Sequence, residues 1–225
     1  MMYTKFFKRM FDFLLAMIAL LISLPFFVPV IITLLLTGEH EVFYRQNRIG
    51  YKNSIFKIWK FATMVKNSVN MGSGSLTLRN DPRVLPFGSF LRKTKMNELP
   101  QLFNVLIGNM SFVGARPQLK FDFEAYTKEV QAHIYDTLPG ITGIGSIIFR
   151  DEEVWISAAK GDKHDFYRDH IAPYKGELEM WYQRNISFYT DLMLLFITCW
   201  VIFFSKSDIV YKVFKDLPPK PDELR

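Results

Sequence analysis

Cysteine is almost absent from the sequence, and internal repeats and low-complexity tracts are missing altogether. The single cysteine, Cys199, excludes an intrachain disulfide framework, and its place in an apolar run predicts a buried, inert thiol. This composition suits a reducing, cytoplasmic compartment. With 225 residues, 49% of them hydrophobic and 22% charged, the chain is long enough for one sizeable core, so we expect one globular domain plus a membrane part.

Acidic residues are outnumbered by basic ones, which gives a formal charge of +6 and a pI near 9.3. Such an excess points to an anionic partner: nucleic acid, phosphorylated substrates or an anionic bilayer. The basic residues are interleaved with apolar sequence, and no nucleic-acid recognition motif occurs. We therefore expect membrane lipid and phosphorylated substrates as partners, and no nucleic acid.

One long run, Phe13 to Thr37, contains no charged residue and is long enough to cross a bilayer as a helix. Pro25 and Pro29 lie in its middle, where each removes a helical N–H, so we expect a kink or break there. Basic residues flank the run on both sides, namely Lys5, Lys8 and Arg9 before it and Arg45, Arg48, Lys52, Lys57 and Lys60 after it. Under the positive-inside rule both flanks belong on the cytoplasmic side.

A re-entrant helix that bends at the prolines and leaves the membrane by the face it entered satisfies both flanks. A cleaved signal peptide is disfavoured, because the apolar run is long and no A-x-A cleavage site follows it. An ordinary transmembrane anchor stays open as the alternative.

The rest of the chain predicts an α+β fold that is mainly helical, with a small β-hairpin and amphipathic interfacial helices around one compact cytoplasmic domain. Val42 to Met64 alternates apolar and polar residues, which predicts two strands joined at Gly50 to Ser54. The polar segment from Lys66 to Arg83, with Gly72 and Gly74, is typical of a mobile loop. We place the membrane helix in residues 1–40, a cytoplasmic membrane-associated domain in 41–214 with an apolar interfacial helix at 187–205, and a disordered tail in 215–225.

Two helices follow the loop in this interpretation. Pro86 to Thr94 begins the first, and Thr94 then caps a second helix whose first turn holds Asn97 and Glu98. Free N–H groups at a helix N-terminus stabilise carboxylates and bound phosphates alike. Further on, Phe121 to Leu138 predicts one amphipathic helix.

Three consecutive acids, Asp151 to Glu153, allow two interpretations. They either begin a solvated helix or supply a carboxylate for Mg²⁺. His164 and His170 do not match a strong zinc-binding spacing, so we reject a zinc site.

Several motifs resemble the signature of the bacterial sugar transferase family, the monotopic phosphoglycosyl transferases. The longest are Thr94 to Leu106 (TKMNELPQLFNVL) and Gly108 to Pro117 (GNMSFVGARP). Val42 to Gly50 is similar to the family's F-x-Q-x-R-x-G element, and Pro139 to Gly143 matches its P-G-I-T-G turn. The resemblance therefore extends over most of the chain.

The resemblance implies transfer of a phospho-sugar from a UDP-sugar to undecaprenyl phosphate at the cytoplasmic face of the bacterial inner membrane. This would be the first step of surface glycan assembly, with Mg²⁺ neutralising the diphosphate; the sequence is also compatible with a homodimer. On this basis we expect catalysis at Glu98 and Asn97 and metal binding by Glu98, with Asp151 as a further metal ligand if one of the three consecutive acids approaches the site. The residues expected to bind substrate are Lys60, Arg92, Gln101, Arg116 and Pro117.

Asn97 departs from the family pattern, which has an Asp nucleophile at this place. An amide is neutral and its lone pair is delocalised, so Asn97 cannot attack a phosphate as that Asp would. Four explanations stay open: an altered position 97, direct attack by the lipid phosphate, replacement by another acid such as Asp151, or an inactive relative. We favour an enzyme, with a membrane-bound scaffold or regulatory pseudoenzyme as the alternative.

Overall fold

The computed structural model describes residues 3–71, 81–204 and 207–221. It confirms a mainly helical α+β fold with one antiparallel hairpin. Short π-helical residues, Tyr3–Phe7, lead into α1, which spans Lys8–Leu36. By length and composition, α1 is the one helix within the described ranges that could cross a membrane.

Helix α1 continues through Pro25 and Pro29, so the break that the sequence predicted there does not form. Its buried residues recur every three to seven positions and share one face, namely Lys8, Asp12, Ala16, Ser23, Phe27, Val30 and Leu34. This face packs along the globular part over the whole length of the helix, and such packing offsets the local cost of a proline, about 3 kcal/mol. The remaining faces expose large apolar side chains such as Leu21 and Ile22.

Both ends of α1 contact the same globular part. Near the start, Lys8 Nζ donates to the carbonyl oxygen of Val113 at 2.9 Å and pairs with Asp191. In the second half, the Phe27 ring lies 5.2 Å from the ring of Phe61. A helix held in this way lies along the domain instead of projecting from it.

The predicted hairpin is confirmed: β1 (Phe43–Ile49) pairs antiparallel with β2 (Ile55–Phe61). In this register Tyr44 lies opposite Lys60 and Arg48 opposite Phe56. Because side chains alternate along a strand, Arg48 and Lys60 share one face of the hairpin. After the hairpin, Ser68–Asn70 form a short turn, and Gly72 and Gly74 lie outside the described residues.

Helices α2 (Pro86–Lys93) and α3 (Gln101–Ile107) follow, and β3 (Ser111–Val113) then pairs in parallel with β4 (Gly140–Thr142). Between these strands lie α4 (Lys120–Glu124) and α5 (Lys128–His133). The single helix predicted over Phe121 to Leu138 is therefore wrong. Thr127 breaks it, since its side chain accepts from the Val130 N–H and starts a new helix.

The C-terminal half is helical and surrounds the main core. It comprises α6 (Ile144–Ile148), α7 (Glu152–Ala158), α8 (Lys163–Phe166), π-helical residues Tyr167–Ile171, α9 (Ala172–Arg184), α10 (Phe188–Phe203) and α11 (Ile209–Val213). Leu178, Tyr182 and Leu194 are fully buried in this core.

Helix α10 confirms the short apolar helix predicted near the C-terminus, and it exposes Phe196, Trp200 and Ile202. Cys199 lies on this outward face and is exposed, so the expectation of a buried thiol is wrong.

The tail packs against the domain between residues 215 and 221, so the disorder predicted for it is wrong in this part. Leu217 is buried, and Trp181 Nε1 donates to Asp216 Oδ2 at 2.8 Å.

Candidate functional site

The site is centred on Glu98, which ends a 3₁₀ turn, Met96–Glu98, between α2 and α3. Its Oε1 accepts a hydrogen bond from Arg116 Nη2 at 2.6 Å and lies 3.5 Å from Lys60 Nζ. Its Oε2 has a longer contact, 3.4 Å, with Arg116 Nη1. The turn, the second strand of the hairpin and the segment after β3 thus meet at one carboxylate.

The charges around Glu98 keep it ionised. Burial by itself would raise the pKa of Glu98, but the positive charges of Arg116 and Lys60 outweigh this and hold the pKa well below its usual range. Burial also lowers the pKa of Lys60 to about 7, although Glu98 opposes that shift. Lys60 is therefore poised to change its protonation state near neutral pH.

Arg48 and Arg92 complete the cationic group around Glu98. The charge of Glu98 acts on both guanidinium groups, and burial lowers the pKa of each. Both stay cationic, because an arginine titrates far above neutral pH. Lys60 and Arg116 pair directly with the Glu98 carboxylate, and Arg48 and Arg92 add two further positive charges. Such a group suits a ligand with several negative charges, such as a diphosphate.

The backbone that carries Arg116 is held by hydrogen bonds that are buried or partly buried. Tyr135 OH donates to the Arg116 carbonyl oxygen at 2.8 Å and accepts from the Gln118 N–H at 2.9 Å. Arg48 Nη1 donates to the Pro117 carbonyl oxygen at 3.3 Å. Pro117 is buried and contacts Arg48 through its backbone, so it positions Arg116 and Arg48 relative to each other.

Arg48 is the site residue that the sequence-based set missed. The signal was present, because Arg48 belongs to the F-x-Q-x-R-x-G element and the alternation of the hairpin puts it on the same face as Lys60. Tyr135 carried no such signal, since its hydroxyl reaches Arg116 only through the fold.

The local structure at Asn97 and Glu98 differs from the prediction. Helix α3 begins at Gln101, so neither residue lies in its first turn. Thr94 does not cap α3 either, because its hydroxyl donates to the Phe90 carbonyl oxygen at 2.9 Å at the end of α2. The reason is the left-handed conformation of Lys95, with φ of 59°, which separates the two helices.

Asn97 and Gln101 are both buried beneath the site. Asn97 is 6% exposed and Gln101 is 1% exposed. Within the described parts of the chain, Asn97 Oδ1 and Gln101 Nε2 have no hydrogen-bond partner. Contact of either side chain with a substrate stays a prediction.

Asn104 supports the site from α3. Its side chain is fully buried, donates to the Lys57 carbonyl oxygen at 2.8 Å and accepts from the Trp59 N–H at 2.9 Å. These bonds fix β2 against α3 directly before Lys60.

The acidic run beginning at Asp151 starts α7, as one of its two interpretations predicts. The Asp151 carboxylate is largely exposed and lies 3.7 Å from Arg150 Nε, whereas Glu152 Oε2 pairs with Lys175 Nζ at 2.5 Å. The residues that the structure describes include no group of three His, Cys, Asp or Glu side chains that could hold a metal ion. Of the predicted metal ligands, Glu98 has one less engaged oxygen, Oε2, which could ligate a Mg²⁺.

Comparison with known proteins places these motifs among sugar transferases. Residues 3–205 match the family model described as bacterial sugar transferase. An undecaprenyl-phosphate galactose phosphotransferase of Salmonella typhimurium is 30% identical over 213 residues, which cover 88% of this chain and 41% of that protein. The exopolysaccharide production protein ExoY of Sinorhizobium fredii is 31% identical over 205 residues, covering 85% of this chain and 83% of that protein.

A third relative is a UDP-glucose:undecaprenyl-phosphate glucose-1-phosphate transferase of Klebsiella pneumoniae. It is 32% identical over 203 residues, which cover 89% of this chain and 41% of that protein. The chain thus spans about two-fifths of the length of two of these relatives and most of the length of ExoY.

Proposed function

Because the chain belongs to the bacterial sugar transferase family, we propose that it transfers a sugar phosphate from a UDP-sugar to undecaprenyl phosphate. This reaction would be the first step in assembling a surface glycan such as an exopolysaccharide. The observation that carries the proposal is the cationic group around Glu98, in which Lys60 and Arg116 both contact one partly buried carboxylate.

In the proposed mechanism the basic side chains bind and orient the two phosphate groups of the nucleotide. Arg116 presents a planar fork that matches phosphate oxygens, and Lys60, Arg48 and Arg92 add positive charge around it. Phosphoryl transfer depends mainly on positioning and charge neutralisation, which this group supplies. Glu98 would hold Mg²⁺, which neutralises the diphosphate when bound.

Asn97 restricts the route of the transfer. Its neutral amide is not a competent nucleophile, so we propose that an oxygen of the lipid phosphate attacks the β-phosphorus of the UDP-sugar directly. A new phosphorus–oxygen bond to the lipid forms, the bond between the α- and β-phosphates breaks, and UMP leaves with the electron pair. The product is a lipid diphosphate sugar.

The proposed location is the cytoplasmic face of the bacterial inner membrane. Exposed apolar side chains on α1 and α10 support burial in lipid, and they include Leu21, Ile22, Phe196 and Ile202. Contact of both ends of α1 with one globular part supports a re-entrant helix over a spanning one. That the chain forms a homodimer stays a prediction, which light scattering of the purified protein would check.

The deciding experiment is incubation of the purified protein with radiolabelled UDP-sugars, Mg²⁺ and undecaprenyl phosphate. We expect lipid-linked product from the unchanged protein, none from Glu98→Ala, and no labelled protein intermediate in a single turnover. A labelled intermediate would contradict direct transfer. Omitting Mg²⁺ should abolish product.

A regulatory or scaffold protein is the second candidate, and the buried, neutral Asn97 favours it. It predicts that the protein binds UDP-sugar but forms no product with any sugar. Gain of transfer in Asn97→Asp, together with inactivity of the unchanged protein, would establish this alternative.

A further inference from the structure

A second group of charged side chains lies next to the site, on helices that follow it in the chain. This group, the Lys175 cluster, consists of Asp122 on α4, Glu152 on α7, and Lys175 and Glu179 on α9. Lys175 Nζ pairs with Glu152 Oε2 at 2.5 Å and lies 5.5 Å from the centre of the Tyr167 ring. No part of the mechanism above uses these four residues.

The Lys175 cluster borders the phosphate-binding cations on two sides. Glu98 raises the pKa of Arg116 most, and the charge of Glu152 adds to that shift. Burial raises the pKa of Asp122, and the charges of Arg48 and Lys175 oppose this. Packing shows the same proximity, because α4 packs against β1, which carries Arg48. The ring of Phe123, next to Asp122, lies 5.9 Å from the ring of Tyr135, whose hydroxyl holds the Arg116 carbonyl oxygen. A group attached to a phosphate held by Arg116 and Arg48 can therefore reach the cluster.

The cluster is buried, and its hydrogen-bonding capacity is not used up within the described chain. Asp122 is 9% exposed, and its Oδ1 has no hydrogen-bond partner among the described residues. Lys175 is 4% exposed and Glu179 is 1% exposed. A buried carboxylate oxygen without a partner is costly, and a donor hydroxyl from a ligand would offset that cost.

We infer that the Lys175 cluster binds the sugar of the nucleotide donor, with the carboxylates accepting from sugar hydroxyls and Lys175 donating to a sugar oxygen. The inference rests on the proposed function, because the sugar is joined to the β-phosphate that the neighbouring cations would hold. Burial raises the pKa of Glu179 to about 7, so at pH 8 its carboxylate is mostly ionised. At that pH the three carboxylates outnumber Lys175 and repel a negative charge. The cluster therefore selects a neutral or amino sugar and rejects a uronic acid.

Binding measurements with matched nucleotides test this without requiring turnover. Calorimetry at pH 8 on the detergent-purified full chain would compare UDP with two pairs, UDP-glucose and UDP-glucuronate, and UDP-galactose and UDP-galacturonate. Within each pair the sugars differ at one carbon, which carries either a neutral hydroxymethyl group or a carboxylate. We expect the neutral member of at least one pair to bind about 10-fold more tightly than its uronate and more tightly than UDP.

Variants separate recognition of the sugar from folding. Asp122→Asn should lower the affinity for the preferred UDP-sugar by about 10-fold and leave the affinity for UDP unchanged. The ratio between the affinities for the neutral sugar and for its uronate should also fall, because the substitution removes one negative charge and one hydrogen-bond acceptor. Glu124→Gln is the matched control on the same helix, since Glu124 is exposed and 3.8 Å from Lys120; it should change none of these affinities. Glu152→Gln repeats the test at a less buried position, and the melting temperature of each variant verifies its fold.

Equal affinity for UDP and every UDP-sugar would overturn the inference while leaving the proposed function intact. The inference would also be overturned if the Asp122→Asn variant folds but loses affinity for UDP and for UDP-sugars by the same factor. If the unchanged protein does not bind UDP, the proposed function fails and the inference fails with it.

Discussion

Glu98 and Arg116 are 18 residues apart in sequence, yet Glu98 Oε1 lies 2.6 Å from Arg116 Nη2. The pair joins the turn before α3 to the segment after β3. Lys60, from the hairpin, approaches the same oxygen at 3.5 Å. Three separate segments therefore have to be in place before the site exists.

Replacing Arg116 by lysine should damage the site although it keeps the charge. Lysine lacks the planar fork that contacts both oxygens of Glu98 and can pair with two phosphate oxygens. We expect UDP affinity to fall about 10-fold or more, since charge-assisted hydrogen bonds contribute about 1.5–3 kcal/mol each. Titration calorimetry measures this, with Arg168→Lys as the exposed control. Unchanged affinity would show that Arg116 does not bind phosphate.

Lys60 should make anion binding depend on pH. Its pKa is about 7 in the folded protein against an ordinary value of 10.5, because burial disfavours the charged form. Between these values the unfolded chain binds more protons than the folded one, so the contribution of Lys60 to the free energy of unfolding rises with pH across this window. Binding of an anion favours the charged form, so affinity for UDP should fall as pH rises above 7.

Proton uptake on binding provides the sharpest measurement of this effect. At pH 8, calorimetry of UDP binding in buffers of different ionisation enthalpy should show proton uptake by the unchanged protein. Lys60→Arg should show none, because arginine stays charged. Equal uptake by both proteins would contradict the prediction.

Replacing Asn104 by alanine should destabilise the fold. The substitution leaves the Lys57 carbonyl oxygen and the Trp59 N–H, which are partly buried, without their side-chain partner. We expect a loss of about 2–4 kcal/mol in the free energy of unfolding, since each unsatisfied buried group costs about 1–3 kcal/mol. Chemical denaturation measures it, and Asn47→Ala on the exposed face of β1 should change stability by less than about 0.5 kcal/mol.

Shortening the tail should destabilise the protein once the packed part is removed. A chain ending at Lys215 loses the buried Leu217 and the hydrogen bonds of Asp216 with Trp181 and of Pro218 with Tyr174. The expected loss is about 3–5 kcal/mol. A chain ending at Pro221 keeps these contacts and serves as the control in thermal unfolding. The same melting temperature for both chains would contradict the packed tail.

Much of the site was predictable because its residues lie in local motifs. Lys60, Arg92, Glu98 and Arg116 were identified from sequence, and the structure brings all four together. Asp151 was predicted as a metal ligand, and this stays a prediction. The next residue, Glu152, is an acid of α7 whose charge acts on Arg116, and no motif indicated that role. In the first turn of a short helix, a shift of one residue changes the direction in which a side chain points. The sequence of three neighbouring acids does not indicate which of them faces the site.

The sequence by itself determined the long apolar helix, the hairpin and the chemistry of the cationic site. These features depend on a run of apolar residues, on alternation of apolar and polar residues, and on short motifs. Tertiary structure decided the rest. Packing along its inner face keeps α1 helical through Pro25 and Pro29, and contacts with α9 order the tail around Leu217. Only the fold brings Asp122 near Arg48 and Glu152 near Arg116. Charges on distant segments of the chain interact only when the packed core holds those segments close together.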